Sequence, residues 1–367
     1  MKILYFIPSL RAGGKERRLV ELITYLKRET TIDIHLVLMN ENIHYKSITN
    51  IGINFYIIER KIKKDPSVFF RFFSLCKKIN PSIIHSWAGM TTFYAIPSKI
   101  LLNIPLINNQ ISTSNPLLFN LSRIEPIVFR INYRFSDLMI ANSQAGLNSY
   151  NLKLSNKNRV IYNGINKERF TNIENDNSLK NIWGVSTRYI IIMIASFMRN
   201  KYYDLLIDVA KIINENRKDV SFICIGDGET LDSIHNRIII EGISNVILLG
   251  KQQYIENYIL QSDIGILLTE SEGVSNAIIE YMAFGKPVIT NDQKGGSKEI
   301  IENDINGFIT SNNPIEISNK INYLIDNLKI RTKIGENNRT KIIKDFTIEK
   351  MANEYIRGYN ELVEDCY

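Results

Sequence analysis

Residues 267–289 read LLTESEGVSNAIIEYMAFGKPVI, and the rest of the chain is organised around them. Leu267 and Leu268 close an apolar run that begins at Ile264, the pattern of a parallel strand buried on both faces. A polar turn follows at 269–273. Residues 276–284 then have helical periodicity, with Ile278, Ile279, Met282 and Ala283 on one side. Ser275 is placed as N-cap and Gly285 as the residue just past the C-terminus. Strand, glycine-containing turn and capped helix make an anion site, because a helix start offers N–H groups and partial positive charge, and Gly273 lets the backbone come close to a ligand. Two carboxylates flank it, Glu272 in the turn and Glu280 on the helix. A carboxylate does not hold phosphate, but it accepts hydrogen bonds from paired hydroxyls such as those of a ribose or hexose. The local chemistry therefore describes a diphosphate with a sugar on either side, which is a nucleotide-sugar.

Glu272 and Glu280, with seven residues between them in the setting SEGVSNAIIEYMAFGKPVI, resemble the E-x7-E motif of retaining GT-B glycosyltransferases of the family 4 type. The resemblance implies an α/β fold of two Rossmann-like doubly wound domains facing a central cleft. In it the N–H groups of Val274, Ser275 and Asn276 hold the diphosphate, Glu280 the ribose and Glu272 the hydroxyls of the transferred sugar. The nucleotide-sugar, UDP-linked ahead of GDP-linked, is a substrate, and no cofactor is implied. No D-x-D triad of the kind that holds a metal with a nucleotide-sugar is present, in keeping with a metal-independent donor site.

A chain of 367 residues suffices for two domains, and 44% hydrophobic with 23% charged residues describes a folded globular protein. The net charge of +7 and pI of about 9.0 favour polyanionic partners. Without an Arg-rich arm or an RNA-binding aromatic motif, nucleic acid is not among the partners expected. Cys76, Cys224 and Cys366 are scattered, with no metal spacing, which suits a reducing compartment. The apolar run at 3–7 is too short for a signal peptide and is stopped by Pro8, and no run approaches the roughly 18 residues a spanning helix needs. The expectation is a cytoplasmic protein, or one at the inner face of the cytoplasmic membrane.

In the first half, a strand at 3–7 leads through Gly13-Gly14 into a helix at 16–27 carrying Leu19, Leu22, Ile23 and Leu26 on one face. This is a phosphate-approach geometry without the dinucleotide fingerprint G-x-G-x-x-G. Family members have a similar glycine-rich loop facing the donor phosphates, matched here by Gly13 and Gly14; a plain tight turn is the other reading. Strands follow at 34–39 and 53–58. Lys61, Lys63 and Lys64 then precede a helix with Val68, Phe69, Phe72, Phe73 and Leu75, which suits either a contact with an anionic membrane or an ordinary crossover helix. A fourth strand ends in His85-Ser86-Trp87, so His85 and Trp87 are candidates for acceptor contact, with a structural role as the alternative. Relatives often carry a His shortly after the next strand. Here Asn108, Asn109, Gln110, Ile111 and Ser112 stand there, and Asn109 and Gln110 are the substitutes for acceptor hydrogen bonds. A strand at 137–142, a helix capped by Ser143 and a strand at 160–162 complete the half. Asn163-Gly164-Ile165-Asn166 with Phe170 then resembles the family's segment before the interdomain linker.

Domain limits expected are 1–170, a polar linker at 171–187, and 188–347, with the last helix, within 348–367, crossing back to the first domain as in GT-B folds. The second half restarts the alternation of strand and helix at 189–195. In the loop after it, Lys201 matches the family's diphosphate-binding Lys, Ser196 stands where many relatives have an Arg, and Arg199 is the substitute cation. Either cation would offset charge on the leaving diphosphate. Gly226-Asp227-Gly228-Glu229 resembles the G-x-G turn beside the nucleotide, Gly250-Lys251 the loop whose backbone reads the base, and Gly295-Gly296-Ser297-Lys298-Glu299 a later family motif.

The sequence thus reads as a retaining glycosyltransferase moving a sugar to a lipid-linked or soluble glycan acceptor in surface polysaccharide synthesis. A sugar-nucleotide epimerase of the same fold and a non-catalytic nucleotide-sugar-binding protein are the alternatives.

Overall fold

A computed structural model of the chain describes residues 1–11, 13–60, 62, 65–111, 124–171, 173, 183–270, 272–291 and 295–364. Lys61, Lys63 and Lys64, Ser112, Cys366 and most of the expected linker lie outside the described residues. Two units separate, Met1–Gly164 with Ile348–Tyr367, and Ile165–Thr347.

The first unit holds strands β1 (Lys2–Ile7), β2 (Asp33–Leu38), β3 (Asn54–Ile57), β4 (Ile83–Ser86), β5 (Leu106–Ile111), β6 (Leu138–Ala141) and β7 (Asn158–Val160), in the sheet order β3-β2-β1-β4-β5-β6-β7. All pairings are parallel. Alternation along β1 divides the core: Ile3, Tyr5 and Ile7 pack with the helices Gly14–Glu29 and Ile348–Glu364, whereas Leu4 and Phe6 pack with Ser67–Ile79 and Gly89–Leu101. Cover on both faces is why β1 and β6 are almost wholly apolar. In the helix Ser67–Ile79, Phe72 stacks on Phe6 at 4.3 Å and Phe69 meets Tyr94 edge-on at 4.8 Å, so it is a crossover helix; Phe70 alone of its aromatics is strongly exposed, at 78%. The final strand begins at Asn158, two residues ahead of the sequence reading. Polar Asn158, whose side chain bonds the Lys153 carbonyl at 3.0 Å, masks its start.

The second unit holds β8 (Tyr189–Ile194), β9 (Val220–Ile225), β10 (Val246–Leu248), β11 (Ile264–Leu267), β12 (Val288–Asn291) and β13 (Gly307–Thr310), ordered β10-β9-β8-β11-β12-β13 and again parallel. The order reverses between β8 and β11, and the crevice outside the carboxyl ends of strands at such a reversal is where open α/β sheets take their ligands. The helix Asn276–Ala283 follows β11. Gly285 at φ +66° ends it, with Gly285 N–H donating to Met282 O and Lys286 N–H to Tyr281 O, both at 2.9 Å, a Schellman closure. Ser275 occupies the N-cap position with extended backbone, but its side chain makes no capping bond. Among the described residues no helix is long and apolar enough to cross a membrane.

Candidate donor site in the second unit

The loops that follow β8, β9, β10 and β11 meet at one edge of the second sheet. Gly226 N–H donates to Gly250 O at 2.9 Å, joining the turns after β9 and β10. A side chain at Gly226 would place its Cβ 1.9 Å from Ala195 O, and one at Gly228 2.3 Å from Phe197 O, so only glycine lets the β9 turn lie against the β8 loop. That loop in turn clamps the turn after β11. Tyr202 N–H donates to Leu268 O and Glu270 N–H to Asn200 O, at 3.0 and 2.9 Å, and Lys201 bridges to Thr269.

This geometry aims Lys201 at Glu272. The Lys201 ammonium pairs with the Glu272 carboxylate and donates to Thr269 Oγ1 at 3.2 Å; its side chain is 9% exposed. Asn291 holds the turn from β12: its Oδ1 accepts from Thr269 N–H at 3.0 Å and its Nδ2 donates to Thr269 O at 2.7 Å, the two bonds a neighbouring backbone would make. From the other side Gly296 N–H donates to Glu272 O at 2.8 Å, and a Cβ on Gly295 would lie 2.4 Å from that carbonyl. Gly273, Val274 and Ser275 are buried and lead into the helix that starts at Asn276, four residues after Glu272. Glu280, 3% exposed on that helix, pairs with Arg169 at 3.0 Å, a partner that sequence reading missed.

Arg199 is not gathered into this arrangement. It is 89% exposed and its contact, at 3.5 Å, is Glu229. Among the described residues no group of His, Cys, Asp and Glu gathers as a metal site.

The model of the family described as Glycosyl transferases group 1 matches residues 176–341, and that of Glycosyltransferase Family 4 matches residues 12–169, so the two span most of the chain between them. The chain is a family 4-type glycosyltransferase. An uncharacterized glycosyltransferase of Methanocaldococcus jannaschii is 32% identical over 230 residues, 62% of this chain and 60% of that protein, so the match spans three-fifths of that relative's length. An N-acetylgalactosaminyltransferase of Campylobacter jejuni, named for a diphospho-undecaprenol-linked acceptor, is 23% identical over 97% of this chain and 100% of its own. The crystal structure of HepE of Anabaena in complex with UDP and glucose superimposes with a TM-score of 0.86 at 20% identity, covering 97% of this chain and 98% of that one. The fold is thus that of the GT-B glycosyltransferases, with a parallel-sheet unit in each half.

In the first unit of the transferase, Gly13 is the N-cap of the helix that begins at Gly14, two residues earlier than the sequence reading, and its N–H donates to the Tyr45 hydroxyl at 3.3 Å. The structure places His85 and Trp87 inside this unit. His85 is fully buried, and its Nδ1 meets the Tyr359 hydroxyl at 2.8 Å, which also lies 3.1 Å from the Tyr5 hydroxyl. Trp87 is 3% exposed, with its ring 5.3 Å from that of His85. Asn109 Nδ2 donates to the Tyr355 hydroxyl at 2.9 Å; the side chain of Gln110 lies outside the described part. Tyr355 and Tyr359 belong to the last helix, so His85, Trp87 and Asn109 form its seat on the first sheet.

Burial pushes the His85 pKa down to about 3. The unfolded chain takes up this proton near pH 6.5 and the folded one does not until about pH 3. The stabilisation is therefore complete above pH 6.5 and is lost as pH falls toward 3, at up to about 1.4 kcal/mol per pH unit. Denaturant titrations at pH 7 and pH 5 should show the native chain losing about 2 kcal/mol more than His85→Gln. Equal losses would mean that His85 is not held neutral.

Proposed function

We propose that this glycosyltransferase is retaining, takes a sugar from a UDP-sugar, and adds it to a lipid-linked glycan at the inner membrane face during surface polysaccharide assembly. The observation that carries this is the Lys201–Glu272 pair set at the start of the helix that also bears Glu280. Lys201 and the N–H groups of 274–276 hold the diphosphate, Glu280 the ribose and Glu272 the sugar hydroxyls. The backbone at Gly226 and Gly250 borders the nucleotide. As charge develops on the departing phosphate, Lys201 stabilises it. The phosphate oxygen takes the acceptor's proton on the face it leaves, so the anomeric configuration is kept without a carboxylate nucleophile of the glycosidase kind. The UDP bound by HepE and the diphospho-undecaprenol acceptor in the name of the Campylobacter relative support the choice of donor and acceptor.

The test is an assay of UDP-hexoses and UDP-N-acetylhexosamines with an undecaprenyl diphosphate-linked sugar in vesicles. The expected product keeps the donor's anomeric configuration and appears with one UDP per transfer. An inverted product would overturn the retaining reading, and a donor isomerised without acceptor would replace transfer by epimerisation.

A further inference from the structure

We infer that Arg169 is the positioning residue for Glu280, and that Glu256 fixes Arg169 for that task; the inference rests on the ribose role given to Glu280 above. Arg169 lies in the short helix Glu168–Thr171, far from Glu280 in sequence and outside the matched positions of the Asn163-Gly164-Ile165-Asn166 segment. Its Nη1 is 3.0 Å from Glu280 Oε1, while Nε and Nη2 both donate to Glu256 Oε1, at 2.8 and 2.6 Å. The three side chains are 16%, 3% and 19% exposed for Arg169, Glu280 and Glu256.

At this depth a carboxylate without a cation is strongly disfavoured. A guanidinium can serve two carboxylates at once because its donors are fixed in one plane, so the pair with Glu256 sets the direction in which the third nitrogen faces Glu280. The backbone that carries the fork is itself anchored, at the end of the site helix and at the end of the helix Leu328–Asp345. Phe170 packs edge-on against Phe284 at 6.4 Å, and Ile165 N–H donates to Phe346 O at 2.9 Å. Glu256 thus holds Arg169, and Arg169 holds Glu280 in one rotamer. A diol then finds an acceptor already in place, which is the support a recognition group requires. Arg169 itself need not touch the nucleotide.

The test is the ratio of dissociation constants for 2′,3′-dideoxy-UDP and UDP, measured by calorimetry on the full chain, with GDP and its dideoxy analogue run in parallel so that the base does not decide the result. The native chain should prefer the diol by about tenfold or more, the worth of a hydrogen bond to a charged group. Arg169→Gln should bring the ratio close to one while leaving the dideoxy affinity unchanged, an effect a merely structural residue would not produce. A native-like ratio in Arg169→Gln overturns the inference. Should that variant fail to melt cooperatively, Glu256→Gln, with Arg169 in place, should lower the ratio by about threefold, and no change there overturns it equally. Glu280→Gln separates the two readings. If it keeps the native ratio, the ribose role falls and the clamp with it. If it loses the ratio while Arg169→Gln keeps it, the clamp alone falls.

Discussion

Lys201→Ala should lower turnover by about 10²–10³-fold while leaving the fold intact, the loss seen when one preorganised charge-stabilising donor is removed. The ammonium is held by the Glu272 carboxylate and by Thr269 Oγ1, and its loop is fixed by backbone bonds at Tyr202 and Glu270, so its position is set before any ligand arrives. Removing it leaves Glu272 without its cation, but that carboxylate is 31% exposed and water can solvate it. The loss should therefore fall on chemistry more than on stability. Binding of UDP should weaken less than turnover, because the negative charge on the leaving diphosphate grows in the transition state. Single-turnover rates with saturating donor, taken beside a UDP titration, separate the two effects. A rate within about threefold of the native one would take Lys201 out of the mechanism.

Gly265→Val should cost about 3 kcal/mol or more of stability, at the upper end of the overpacking range. Gly265 is in the middle of the sheet in β11, and a Cβ there would lie 2.3 Å from both Cγ and Cδ2 of Tyr281. The ring cannot retreat. It is fully buried, and its hydroxyl accepts from Ile194 N–H at 2.7 Å, so moving it would orphan a buried donor as well. The helix Asn276–Ala283 would have to lift off the sheet as a body, taking its N-terminus and Glu280 with it. Guanidinium unfolding and a UDP titration should both register the change, against a total stability of about 5–15 kcal/mol for a typical domain. A loss below about 1 kcal/mol would mean the helix is not seated on that glycine.

The residues that are legible in the sequence are those whose neighbours in space are also neighbours in the chain. The apolar run into β11, the polar turn, the helix at 276–283 and its glycine stop all follow from local pattern, and the structure differs there by one residue. Family motif order singles out Lys201 and Glu272 separately, but not that their side chains pair. What stayed hidden depends on distant contacts. Arg169 is not singled out, because nothing within ten residues of it names Glu280. No local pattern marks Gly265, because the ring it lies against, Tyr281, is brought there by the fold. His85, at a strand end, looks poised for an acceptor until Tyr355 and Tyr359 arrive from the last helix and enclose it. Arg199 matched a role by residue type, but loop geometry turns it to Glu229 and to solvent.

That last helix completes the first unit although it is separated from it in the chain by the whole of the second. On the ribosome the two halves therefore finish out of step. Residues 165–347 can close their own core once they have emerged, while the earlier half waits with Tyr5, His85 and Trp87 uncovered until Tyr355 and Tyr359 are translated. Until then the first sheet lacks the helix that covers its buried aromatic side chains.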